Sequence, residues 1–138
     1  MALIRLVHPR DYNPDLKRFT SFAYKNLRGG MSVFLEECAE DKSASVCQHA
    51  TTWYPSIAGD PVIFYRITAE EVPAGTTLAE TPAASGDDCH RDIQGASDAA
   101  LKRAFTGKNW DEYLVCEDGI HRPLTQADID AFPQCKGT

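Results

Sequence analysis

Val62-Ile63-Phe64-Tyr65-Arg66-Ile67 is the run from which the architecture is read. It is almost continuous in β-branched and aromatic residues and too short for a buried helix. Such a run suits a strand covered on both faces and paired on both edges. It predicts a central, buried strand. Gly59-Asp60-Pro61 supplies the turn before it. Upstream, Ser45 and Gln48 have the spacing of a helix start, Val46, Ala50 and Trp53 follow at helical intervals, and Pro55 stops the helix. Met31 to Leu35 reads as a buried strand behind the break Arg28-Gly29-Gly30, and Ala2 to Val7 as the first strand. The acidic segment 36–42 gives no clear period. Residues 19–24 read as a short strand or a turn of helix.

Downstream, residues 74–88 are rich in Ala, Gly, Thr, Pro and Ser and read as a long loop, with room for one short strand over 76–79. Ser97 caps a helix over Asp98 to Phe105, with Leu101, Ala104 and Phe105 on one face. Tyr113 to Cys116, Asp118-Gly119 and Ile120 to Arg122 spell a hairpin. Thr125 and Asp128 start a last helix, which Pro133 ends. Strands and helices do not alternate as in a doubly wound sheet. The expectation is an α+β fold: one globular domain over 1–138, a mixed and mostly antiparallel sheet, and about three helices.

The 138 residues carry a net charge of −6. An acidic balance disfavours nonspecific contact with nucleic acid. The early basic residues Lys17, Arg18, Lys25 and Arg28 read as a solvated face. No stretch has the roughly 20 apolar residues of a membrane span. Arg5 interrupts the apolar start, which lacks the features of a signal peptide. A soluble protein of the cytoplasm is the default expectation. Five cysteines occur, Cys38, Cys47, Cys89, Cys116 and Cys135, with no C-x-x-C pair. An odd count without a secretory signal predicts five reduced thiols. No metal or cofactor motif is found: H-E-x-x-H, the P-loop and the G-x-S-x-G elbow are all missing.

The chemistry-bearing residues are few. His8 follows a strand and precedes Pro9, which stiffens its backbone. His90 and Asp92 would share one face of a strand, where the carboxylate could orient the imidazole. Arg5 and Arg66 fall inside apolar strands, so each must reach solvent, a carboxylate or an anionic ligand. Arg5 and His8 lie three positions apart, on opposite faces of an extended chain, so they share a site only if the chain bends at His8-Pro9. The expected site is a small pocket reached by His8, Ser32 and His90 in catalytic roles, with Arg5 and Asp92 binding ligand.

Arg5-x-x-His8-Pro9, Ser21-x-Ala23-Tyr24, Met31-Ser32-Val33 and the later His90 and Asp92 together resemble a group of small bacterial and phage-associated proteins with R-x-x-H-P near the N-terminus. The late histidine and aspartate are shifted relative to that pattern. The resemblance implies no activity; it implies convergence of Arg5, His8, Ser32 and His90. Three functions compete. The first is a binding or accessory module with a cleft for a peptide, a protein partner or a small anion. The second is an enzyme acting on a nucleotide or phosphate ester, similar to ADP-ribosyltransferase-like folds only in the order of its residues: Arg5 or His8 on phosphate, Ser32 on a ribose hydroxyl, and His90 or a glutamate as base. The third is a metal-dependent nuclease built on Asp87, Asp88, His90 and Asp92.

Overall fold

A computed structural model describes residues 2–13, 15, 18–19, 30–43, 45–54, 61–80, 86–105 and 113–131. The sequence readings for 20–29 and Cys135, and for Lys17 in the basic cluster, lie outside these residues.

In chain order the strands are β1 (Ala2–Val7), β2 (Tyr12–Asn13), β3 (Arg18–Phe19), β4 (Gly30–Leu35), β5 (Ile63–Thr68), β6 (Thr77–Glu80), β7 (His90–Gln94), β8 (Leu114–Glu117) and β9 (Ile120–Pro123). The helices are α1 (Glu36–Ser43), α2 (Val46–Trp53), α3 (Asp98–Phe105) and α4 (Gln126–Asp130). Seven strands form one sheet in the order β6-β7-β4-β1-β5-β8-β9; β2 and β3 form a separate ribbon. Every described ladder is antiparallel. The fold is therefore α+β, and its described sheet is antiparallel rather than mixed.

The 62–67 run becomes β5, an interior strand between β1 and β8. Ile63, Phe64, Tyr65 and Ile67 are all buried, because β5 carries core on both faces. On one face Leu3, Val7, Met31, Val33, Ile63, Tyr65, Ile67 and Ile93 pack with Leu101 and Phe105 of α3 and Ile129 of α4. On the other, Ile4, Phe34 and Phe64 pack with Ala39 of α1 and Val46, Cys47 and Ala50 of α2. The result is three layers, with the α1–α2 pair covering the second face.

Helix starts follow local chemistry. Ser45 Oγ accepts from the Gln48 N–H at 3.0 Å. Thr125 and Asp128 close a full capping box. The 74–88 segment does hold a strand, β6, which pairs with β7.

The cysteines correct the sequence expectation. Four of the five are not free thiols: Cys38 is bonded to Cys89 and Cys47 to Cys116. Topology brings the first pair together. Phe34 of β4 lies opposite His90 of β7, and the Leu35 N–H donates to the Cys89 carbonyl at 3.1 Å. Cys38 follows one helical turn later in α1, so the two Cα atoms lie 5.6 Å apart. The second bond ties α2 to β8.

Candidate functional site

The second sheet face carries two polar clusters joined by Tyr54. In the first, Ser32 on β4 and His90 on β7 project from neighbouring strands. Ser32 Oγ and His90 Nε2 are 2.5 Å apart. Ser32 is exposed, whereas His90 is buried. Asp92 lies two residues along, with Oδ1 3.9 Å from the same Nε2. Glycine is required at position 30 for this packing: a Cβ there would meet the Asp92 Cβ at 2.7 Å. In a serine-activating triad the carboxylate holds the ring nitrogen opposite the one that serves the hydroxyl. Here Ser32 and Asp92 address the same nitrogen, so Asp92 does not orient the ring in that way.

The second cluster escaped the sequence reading. His49 of α2 is fully buried, and so nearly is Asp87. His49 Nε2 meets Asp87 Oδ2 at 3.0 Å, and its Nδ1 meets Ser43 Oγ at 3.2 Å. The Tyr54 hydroxyl donates to the same Asp87 oxygen. Asp87 Oδ1 accepts the Cys89 N–H at 2.9 Å. Burial by itself would raise the Asp87 carboxyl, but hydrogen bonds from Tyr54, His49 and the Cys89 amide outweigh it and hold the pKa below the ordinary value. Burial, with the bond to Asp87, pushes the Tyr54 phenol well up. Asp87 therefore only accepts. His49 Nε2 therefore carries the hydrogen of that contact, and Nδ1 meets the Ser43 hydroxyl on the other side of the ring. The signal available in the sequence was Asp87-Asp88-Cys89, an Asx-type turn, but its partner His49 lies 38 residues away.

Tyr54 also forms a wall of an apolar pocket of about 220 Å³, lined by Leu6, Val7, His8, Pro61, Val62 and Ile63. The Tyr54 ring stacks on Phe34, with centroids 5.6 Å apart, and lies 6.4 Å from the His90 ring. The pocket and the Ser32–His90 pair thus flank one tyrosine.

The candidate residues separate into three groups. Ser32, His90 and Asp92 meet. The chain does bend after β1, in a 3-10 turn over Pro9–Asp11, and His8 lines the pocket. Ser32 and His90 are not among the residues lining that pocket. Arg5 shares the opposite face of β1 with Leu3 and Val7. The β1–β4 ladder covers only Leu3↔Leu35 and Ile4↔Phe34. Just past it, Arg5 Nη1 donates to the Ser32 carbonyl at 2.8 Å and satisfies an acceptor the ladder leaves open. Burial pulls the Arg5 pKa down, and Tyr65 and Asp11 oppose that pull. Arg66 pairs with Glu36 at 2.7 Å.

The residues of the nuclease reading spread apart. Asp87 is committed to Tyr54 and His49, Asp88 faces Lys42 at 3.1 Å, and Asp92 stands by His90. Among the described residues, the one set of three with ligand atoms close enough for a cation is His49, Asp87 and Cys89. No helix among the described residues is long and apolar enough to cross a membrane. Comparison with protein-family models, with curated proteins and with solved structures returns no match.

Proposed function

We propose that the protein is a small ligand-binding module, and that the pocket beside Tyr54 takes an apolar group carrying an anionic end. The observation that carries this reading is the pocket itself: aliphatic walls, one aromatic face and a single imidazole at His8. Preformed apolar pockets with few polar groups are the usual form of small-ligand sites. The apolar body would rest on Leu6, Val62 and the Tyr54 ring, and the anion would meet His8. Two disulfides support an oxidising compartment in place of the cytoplasm expected from the sequence.

The test is an amide-resolved NMR titration with a panel of aliphatic and aromatic carboxylates and short apolar peptides. Saturable shifts should cluster at Leu6, Val7, Tyr54 and Ile63 and vanish in Val62→Trp, which fills the pocket. Scattered shifts, no shifts with any member, or shifts that survive Val62→Trp would defeat the reading.

The short Ser32–His90 contact favours a second reading, an esterase-like site with Ser32 as nucleophile and His90 as base. A fluorophosphonate should then label Ser32 in the native protein and not in His90→Ala. Equal labelling of both proteins, or none, would dismiss it.

A further inference from the structure

The Cys38–Cys89 bond lies beside two buried metal-ligand groups that neither the pocket nor the Ser32–His90 pair uses. A ring nitrogen of His49, an Asp87 carboxylate oxygen and Cys89 Sγ all lie within 4.8 Å of one another, and Nε2 is the nitrogen that meets Asp87. Cys38 Sγ lies outside that set, but its bond to Cys89 holds it next to the three donors, and on reduction it would move in as the fourth. His49, Asp87 and Cys89 are at most 1% exposed. We propose that reduction of this disulfide converts the α1–α2 corner into a Zn²⁺ site formed by Cys38, His49, Asp87 and Cys89.

The chemistry balances with an external dithiol as reductant. Two electrons and two protons pass to the Cys38 and Cys89 sulfurs, and the dithiol closes to its own disulfide. Zn²⁺ then displaces both thiol protons to solvent and takes the thiolates. Two sulfurs, one imidazole and one carboxylate match the ligand types and number of a closed tetrahedral zinc site. Tetrahedral bond lengths place donor atoms about 3.3–3.8 Å apart. The His49–Asp87 contact is 3.0 Å. Metal entry would widen it by a few tenths of an ångström and draw the sulfurs inward.

The surrounding hydrogen bonds serve both states. In the disulfide form Nε2–H donates to Asp87, and Nδ1 meets the Ser43 hydroxyl. In the metal form Nε2 must offer a lone pair, so the proton moves to Nδ1, and the Ser43 hydroxyl can accept it. Ser43 is a positioning residue of the kind that fixes ligating histidines. The Tyr54 hydroxyl and the Cys89 amide can keep hold of Asp87 in either state. The second disulfide, Cys47–Cys116, belongs to no such donor set among the described residues.

The experiment is an alkylation footprint. The full chain is reduced with a phosphine, exposed to equimolar Zn²⁺ or none, pulsed with iodoacetamide and mapped by peptide mass. Zn²⁺ should slow the alkylation of Cys38 and Cys89 relative to the zinc-free sample and leave the rates at Cys47, itself buried, and Cys116 unchanged. Ser43→Ala should weaken the zinc affinity about tenfold or more. Cobalt in place of zinc should give a thiolate charge-transfer band that is lost in Cys89→Ser. Absent protection, protection spread equally over all cysteines, or a cobalt band unchanged in Cys89→Ser would overturn the proposal. The wild-type footprint decides the matter even if a variant fails to fold.

Discussion

Removing the Asp87 carboxylate should cost more stability than any exposed substitution in this chain. Three donors converge on it: the Tyr54 hydroxyl, His49 Nε2–H and the Cys89 amide. In Asp87→Ala each loses its acceptor. His49 can shift its proton to Nδ1 and donate to Ser43, which lies 3.2 Å away, so that donor is rescued. The Cys89 amide has no such option, and the Tyr54 hydroxyl is only partly sheltered. A buried donor left unsatisfied costs about 1–3 kcal/mol, so the loss should be roughly 2–5 kcal/mol. Asp87→Asn keeps a carbonyl acceptor and gives up the charge, and should lose about 1–2 kcal/mol. Urea denaturation with both disulfides intact measures both values. The sign of the pH dependence follows from the lowered Asp87 pKa. Its contribution is complete above the unfolded aspartate value, about 4, and fades as pH falls through the folded value. The stability gap between wild type and Asp87→Asn should therefore shrink from pH 6 towards about pH 2. A loss below about 0.5 kcal/mol in Asp87→Ala, or a gap that widens in acid, would refute the network as a stabilising element.

Replacing Cys47 and Cys116 together by Ser opens a cross-link spanning 69 residues and should cost about 2–4 kcal/mol in chemical denaturation. Gly30→Ala would put a methyl 2.7 Å from the Asp92 Cβ; it should destabilise by about 1–3 kcal/mol and shift the amide resonances of Asp92 and His90. Ile63→Ala, at a side chain only 1% exposed, should lose about 2–5 kcal/mol in the same urea assay, and a loss under about 1 kcal/mol would contradict its place in the core.

Local pattern by itself determined the strong elements of this protein. The 62–67 run, the first strand, the Ser45 and Thr125 caps, and the Asp118-Gly119 hairpin each rest on neighbours in sequence, and each is found in place. Elements with weak local signals owe their form to tertiary contacts. α1 is acidic and polar; it exists because Ala39 packs beneath it and Cys38 tethers it to Cys89. β7 reads His-Arg-Asp-Ile-Gln, with one aliphatic residue, and is a strand because β4 and β6 supply ladders on both sides. Ser32 and His90 are candidates by residue type alone, but their 2.5 Å contact depends on the β4–β7 register, across 58 residues. Only the tertiary structure paired the cysteines, tied His49 to Asp87 and turned Arg5 onto the Ser32 carbonyl. The physical reason is one of range. Caps, turns and hydrophobic periods act within a few residues, whereas strand order is set by which faces can be buried together. That choice alone fixes which distant polar groups meet.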